Sequence, residues 1–337
     1  MTLLPHNKPA LGIEEEQAAT KVIRSAWLAQ GIEVESFENE FCEFIGLPYG
    51  HAVCVSSGTA ALYLSLWSLN AQNKKIAFPV YTCSSLRHAV AMVGGIEVLI
   101  DVKEGTPNMD LDTLKRSEAD IAIIPHMFGF PNDLSGIVGI DVIEDCAQAL
   151  GAKVNGMYVG LHGRIGIYSF YATKLITTGG QGGMVISKDK SLIDSIRDYR
   201  EFDCRKDANK RFNFQMTDLQ GAIGRIQLRK LPGFLQRRHE IFGAYLNAGL
   251  PLMDIVNENS HPIRYRAVLI TKYPQQIIKS LLNNKIKSII PIEDWELLDK
   301  SELFPNALNL TKCTVSLPIY PLLSDYEVNK IISTVLN

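Results

Sequence analysis

Three short stretches of the chain hold side chains that chemistry can use. In Ser56-Ser57-Gly58-Thr59 an apolar run ends, small residues follow, and an apolar helical pattern starts at Ala60. Such a turn gathers free backbone N–H groups, hydroxyls and the positive end of a helix at one point, which suits a phosphate. Serine and threonine also serve as plain helix caps, so the turn by itself carries either reading. In Val142-Ile143-Glu144-Asp145-Cys146-Ala147-Gln148 a strand delivers two acids and a glutamine at its carboxyl end, where α/β proteins hold ligands. Alternation sends Glu144 and Asp145 to opposite faces, so one of them faces a given pocket. A strand-ending acid that caps the next helix is the competing reading. The third stretch is Ser169-Phe170-Tyr171-Ala172-Thr173-Lys174, followed by Thr177-Thr178-Gly179-Gly180-Gln181-Gly182-Gly183. A lysine among aromatics, threonines and small residues can act as an amine nucleophile. The glycines behind it are expected to let the backbone come close to a ligand. A surface lysine beside a glycine-rich turn is the plainer alternative.

The three signals gain weight together. A phosphate nest, a carboxylate at a strand end and a reactive lysine form the set that pyridoxal 5′-phosphate requires. The nest takes the phosphate, the acid keeps the pyridine nitrogen protonated, and the lysine joins the aldehyde.

These groups need a scaffold, and the chain supplies one. Strands are expected at His51–Val55, Lys75–Phe78, Ile96–Ile100, Ile121–Ile124, Asp141–Ile143, Gly166–Phe170 and Gly183–Ser187. Helices are expected between them at Ala60–Leu69, Ser84–Val93 and Leu111–Ser117, preceded by a lead-in of Glu14–Ala29 and Ser36–Ile45. Such alternation predicts an α/β fold around a mainly parallel sheet covered on both faces. Beyond Lys188 the spacing predicts helices at Asp189–Tyr199, Met216–Lys230 and Phe234–Leu246, with Leu231-Pro232-Gly233 breaking the last two apart. A strand at Arg264–Thr271, a helix at Gln275–Asn283, a strand near Thr314–Leu317 and a helix at Ser324–Val335 complete a smaller α/β unit. The expected division is 1–231 and 232–337.

Composition removes other classes. The 337 residues carry 34 Lys+Arg against 36 Asp+Glu, a net charge of -2 that gives no basic excess for nucleic acid. No apolar run approaches the roughly 20 residues of a membrane span. Met1–Ala10 has no apolar signal core, so a cytoplasmic protein is expected. The six cysteines (Cys42, Cys54, Cys83, Cys146, Cys204 and Cys313) are far apart, and the seven histidines form no H-x-x-x-H pair. Neither a disulfide framework nor a metal site is expected.

The sequence resembles the sugar aminotransferases of the DegT/DnrJ/EryC1/StrS family. The stretches that carry the likeness are Phe37–Gly46, Val55–Leu66, Pro79–Ser85, His126–Leu134, Val142–Ala152, Ser169–Val185, Asn213–Leu231 and Ser316–Pro321. The likeness implies a fold type I pyridoxal-phosphate enzyme with a large mainly parallel seven-stranded sheet domain and a smaller C-terminal α/β domain. It also implies that Lys174 forms the Schiff base, Asp145 pairs with the pyridinium nitrogen, and Gln148 lies against the cofactor ring or its 3-oxygen. Gly58, Thr59 and Ser169 would hold the phosphate. Asn213 would reach the cofactor phosphate of a partner subunit, which implies a homodimer with shared sites. The implied substrates are an amino-acid donor, L-glutamate, and a keto sugar, nucleotide-linked.

The chain also departs from the family pattern. Cys83 stands where the family usually places an aromatic on the cofactor ring, leaving Tyr81 as a substitute or no stack at all. A free thiol there could react or oxidise. Between Leu134 and Val142 the chain is too short for the family's helix, the region from Ile286 to Thr314 is reduced, and a His-x-Gln stretch is missing. His126, a lone histidine, reads as structural. Sugar 3-dehydrases of the family carry histidine in place of the lysine, so Lys174 favours amino transfer. An aminocyclitol acceptor and a regulatory cofactor-binding protein without turnover are the competing readings.

Overall fold

The computed structural model describes residues 3–255 and 258–337. The chain opens with α1 (Ile13–Ser25) and α2 (Ile32–Ile45), then alternates β1 (Ala52–Val55), α3 (Gly58–Ser68), β2 (Lys75–Pro79), α4 (Ser85–Met92), β3 (Ile96–Ile100), α5 (Leu111–Arg116) and β4 (Ile121–Pro125). There follow β5 (Asp141–Asp145), β6 (Lys153–Val154), β7 (Met157–Tyr158), β8 (Ile165–Ser169), β9 (Gly183–Ile186), α6 (Lys190–Arg200) and α7 (Asp218–Asn247). The last part holds β10 (Ser260–His261), β11 (Ala267–Ile270), α8 (Pro274–Asn283), α9 (Pro305–Cys313), β12 (Thr314–Leu317) and α10 (Asp325–Leu336).

Seven strands form the main sheet in the order β1-β9-β8-β5-β4-β2-β3, and they are the seven expected from sequence. β9 runs antiparallel to both its neighbours, while the other pairs are parallel. Alternation divides the side chains between two cores. Ala52 and Cys54 of β1, with Met184 and Ile186 of β9, pack against Phe37 and Phe41 of α2 and Leu228 of α7. Val53, Val55 and Val185 face the other way, onto Leu62, Leu64 and Leu66 of α3 and Ile193 and Ile196 of α6. A strand buried on both faces reads as an unbroken apolar run, and Ile121–Pro125 is buried throughout. A third core, under the antiparallel pair β11–β12, gathers Phe242, Tyr245, Leu269, Leu281, Leu317 and Ile331.

The helix break expected at Leu231-Pro232-Gly233 is absent, because α7 runs 30 residues through Pro232. The proline removes one backbone hydrogen bond, to the Leu228 carbonyl, on an exposed face. Leu228 and Leu231 pack into the first core while Ile241, Phe242 and Tyr245 pack into the third, so burial at both ends holds one rod. The boundary expected near Leu231 therefore falls inside a helix. A β-carbon on Gly233 would meet nothing within 4 Å, and the residue sits within the helix. Gly233→Ala is thus expected to stabilise the protein by about 0.5–1 kcal/mol, read from denaturant unfolding.

Smaller differences have local causes. The lead-in helix stops at Ser25, where Ala26 turns left-handed (φ 61°), instead of running to Ala29. The three-stranded sheet β10-β6-β7 and the helix α9 went unread in sequence, since two-residue strands leave no periodicity to find. No helix forms between Leu134 and Val142, as expected.

Candidate active site

Several loops leave the carboxyl ends of the main strands together and enclose a cavity of about 310 Å³. Gly58 and Thr59 follow β1, Cys83 follows β2, Asp145 ends β5, Ser169 ends β8, and Gln148 and Lys174 come from the loops behind them; all seven line the cavity. Residues chosen from four separate stretches of sequence thus converge. Asn213 does not line this cavity: it is exposed, and its Oδ1 accepts the Gln215 amide at 3.0 Å. Tyr81 is fully buried in a core beside Phe128, while Cys83 is exposed on the cavity wall, 3.1 Å from Ser85 Oγ.

Each group is held by identifiable contacts. Ser57 caps α3 by accepting the Ala60 amide at 3.1 Å, and its carbonyl takes the Ala61 amide. Among the described residues the amides of Gly58 and Thr59 donate to nothing, so the positive end of α3 opens on the cavity. A β-carbon on Gly58 would lie 2.9 Å from Ser169 Cβ, so glycine is what lets the helix start beside the Ser169 hydroxyl.

Asp145 and Glu144 take opposite sides, as alternation requires. Glu144 turns into the protein, where Oε1 accepts the amides of His162 and Gly163 and Oε2 faces His126 Nε2 at 3.0 Å. The Asn132 amide donates to His126 Nδ1, so the ring proton sits on Nε2 and is donated to Glu144. Burial pushes the Glu144 carboxyl up, but His126 and the backbone amides of Gly163 and Gly160 outweigh it and leave it below the usual range. Cys146 brings its sulfur to within 4.8 Å of these two groups, completing a buried knot of which His126 also lines the cavity.

Asp145 faces the cavity. Its Oδ1 accepts the Ala147 amide at 2.9 Å, and its Oδ2 has no hydrogen bond among the described residues. Burial raises its carboxyl above the usual range, against the opposing pull of the Ala147 amide, Lys174 and His126. Gln148 is fixed by the Phe128 amide, which donates to Oε1 at 2.9 Å. Lys174 Nζ makes no hydrogen bond among the described residues and lies 5.6 Å from the centre of the Tyr265 ring.

One expectation is corrected. Of the glycine-rich run only Gln181 lines the cavity. Two of the glycines make room for close packing: a β-carbon on Gly183 would lie 2.3 Å from the Ser57 carbonyl oxygen, and one on Gly182 would strike the Thr178 side chain. Gly179 (φ 87°) and Gly180 (φ 142°) take conformations that side chains resist, and the Gly180 carbonyl accepts the Ala172 amide. They shape the loop that carries Lys174. Thr82, Tyr171 and Gln181 line the cavity without having been singled out, and Tyr265, from the distant β11 region, has no signal in sequence at all.

Comparison with known proteins decides the identity. The model of the DegT/DnrJ/EryC1/StrS aminotransferase family matches residues 9–336. The chain belongs to that family. It is 31% identical to the spore coat polysaccharide biosynthesis protein SpsC of Bacillus subtilis, over 98% of this chain and 96% of that one. It is 28% identical to a GDP-perosamine synthase of Escherichia coli O157:H7, over 97% and 96% of the two chains. The crystal structure of the aminotransferase TlmJ from Streptoalloteichus hindustanus superimposes with a TM-score of 0.92 at 26% identity, covering 99% and 98%.

The protein is therefore a sugar aminotransferase of fold type I, and its cofactor is pyridoxal 5′-phosphate. The cavity fits that group on its own chemistry. Among the described residues two amides without a partner and a hydroxyl suit a phosphate, a carboxylate oxygen without a partner suits a protonated ring nitrogen, and an amine without a hydrogen bond suits an aldehyde. Gly58→Ala should drive Ser169 from the first turn of α3 and weaken cofactor binding about 10- to 100-fold, measured by titrating cofactor into the cofactor-free protein.

Proposed function

We propose that this aminotransferase moves an amino group from L-glutamate to a keto sugar carried on a nucleotide. The observation that carries the proposal is the unbonded Lys174 Nζ, set in one cavity with Asp145 and the free amides of α3. The nucleotide is supported by the relative named as a GDP-perosamine synthase.

When bound, the cofactor supplies an aldehyde that joins amines and a ring that withdraws electrons from the carbon beside them. The residues of the chain do the rest. The amides of Gly58 and Thr59 and the Ser169 hydroxyl bind the phosphate. Asp145 Oδ2 holds the proton on the ring nitrogen, while Gln148, pinned by the Phe128 amide, and Cys83 line the walls. Lys174 Nζ takes the proton from the α-carbon of the donor and, in the second half of the cycle, returns one to the sugar carbon that gains the amine.

The proposal includes a cytoplasmic homodimer with each site completed by Asn213 of the other subunit. Exposed Asn213 and its exposed neighbour Phe212, with exposed Trp27, Leu28 and Ile32 in the lead-in, support such an interface. It also keeps the division into 1–231 and 232–337, with α7 as a spine common to both parts. No helix among the described residues is long and apolar enough to cross a membrane.

Adding L-glutamate to the cofactor-loaded enzyme tests the donor. One equivalent of 2-oxoglutarate per site, with loss of the visible band of the cofactor, is the expected result. No keto acid after prolonged incubation would exclude L-glutamate. A subsequent keto-sugar nucleotide should restore the band and appear as its amino sugar.

A further inference from the structure

Arg266 differs from the other inward-facing arginines in what it lacks. Arg200 meets Glu38, Arg264 meets Asp254, and Arg238 donates to the carbonyl oxygens of Arg264, Tyr265 and Ile319. Arg266 donates from Nη1 to Ser316 Oγ at 3.2 Å and has no acidic partner among the described residues. Its Nε is buried with no partner, as are those of Arg200, Arg238 and Arg264, but Arg266 alone of the four has neither a carboxylate nor a carbonyl oxygen as partner among the described residues, and its Nε–Nη2 edge makes no hydrogen bond there. A buried donor without an acceptor is costly and calls for an explanation.

The surroundings say what is missing. The guanidinium carbon lies 5.7 Å from the centre of the Tyr265 ring and 5.8 Å from that of Phe128. Lys174 Nζ lies 5.6 Å from the same Tyr265 ring, so the reactive amine and Arg266 share one aromatic side chain. Phe128, the second ring, follows Met127 of the cavity wall and holds Gln148 through its amide. His6 reaches Ser316 Oγ at 2.9 Å, and burial, with Arg266, Lys287 and Arg238 nearby, lowers it to about 3, so it is neutral at neutral pH. Around the guanidinium stand two aromatic rings, a neutral histidine and further cations, and it has no carboxylate partner among the described residues.

We propose that the free Nε–Nη2 edge of Arg266 receives a carboxylate of the amino-acid donor. This edge offers two parallel N–H donors, which match the two oxygens of one planar carboxylate. An amino acid that reacts where Lys174 Nζ stands carries its carboxylates only a few bonds from its nitrogen. A guanidinium on the same aromatic ring as that amine is placed to meet one. A nucleotide diphosphate, with two tetrahedral charged groups, makes a poorer match to a single fork. The inference rests on the proposal that the donor is an amino acid, and Arg266 acts in it as a binding residue.

The test uses the cofactor-loaded enzyme and its Arg266→Met and Arg266→Lys variants. Glutarate, a dicarboxylate with no amine, is the binding probe, titrated by calorimetry. Single-turnover keto-acid formation is followed against L-glutamate and, separately, L-alanine. Arg266→Met is expected to weaken glutarate binding and raise the L-glutamate concentration for half-saturation by about 10- to 100-fold, with cofactor affinity unchanged. Arg266→Lys should recover part of the loss. Equal losses with L-alanine assign the α-carboxylate, and a loss confined to L-glutamate assigns the side-chain carboxylate. Unchanged glutarate affinity together with unchanged L-glutamate saturation in Arg266→Met overturns the proposal, as does a loss confined to the keto-sugar step. If the parent enzyme makes no keto acid from L-glutamate, the donor assignment fails by itself, and glutarate binding still judges Arg266.

Discussion

Replacing Lys174 by alanine is expected to reduce amino transfer by more than about 10⁴-fold, because the variant loses both the amine that joins the aldehyde and the base that moves the proton. The fold should survive. Lys174 Nζ makes no hydrogen bond among the described residues, and its own amide, which bonds the Tyr171 carbonyl at 2.9 Å, is kept by alanine. Cofactor should still bind through the α3 amides and Asp145, but without a covalent link. Two measurements separate this from simple misfolding. Borohydride treatment should fix the cofactor on the peptide containing Lys174 in the parent and on no peptide in the variant. Both proteins should show the same thermal transition when free of cofactor. A Lys174→Ala enzyme that still completes both half-reactions would overturn the assignment.

Asp145→Asn should slow proton abstraction about 10²- to 10³-fold while raising the stability of the cofactor-free protein. The two effects have one cause. Burial holds the Asp145 carboxyl above its ordinary range, and the Ala147 amide, Lys174 and His126 recover only part of that cost. Well below the ordinary carboxylate range both folded and unfolded chains are protonated there, and burial of the acid costs little. As pH rises the unfolded chain ionises first, so stability falls until the folded carboxyl has ionised too and the whole cost is present. Asparagine removes that cost and can keep the bond from the Ala147 amide through its own oxygen. The gain in Tm should therefore grow as the pH rises from the ordinary carboxylate range to above it. Loading with cofactor should reverse the order, because only the acid can pair with a protonated ring nitrogen. A variant less stable than the parent at neutral pH without cofactor would contradict this account.

Seven of the residues that line the cavity could be named from the chain because they lie at the end of a strand or in the loop behind it. A buried strand tends to read as an apolar run, so Ala52–Val55 and Ile121–Pro125 announce themselves, and the residues that follow such strands must emerge at one edge of the sheet. Alternation then separated Asp145 from Glu144 without any coordinates. The same local reasoning misjudged Pro232, where packing at both ends of α7 overrides one missing hydrogen bond. It misjudged the glycines at 179–183 too, since their close neighbours include Ser57, which is remote in sequence.

Periodicity and turn chemistry are properties of neighbours along the chain, and they made the sheet and the residues at its strand ends legible, while the likeness to the family supplied the roles expected of them. Which surfaces meet is a property of the folded chain, and only the tertiary structure decided it. It set Tyr265 against Lys174, left one edge of Arg266 without a partner, buried Tyr81 and kept Cys83 on the cavity wall. Each of these depends on a contact between residues from separate elements, and such a contact leaves no trace in local spacing.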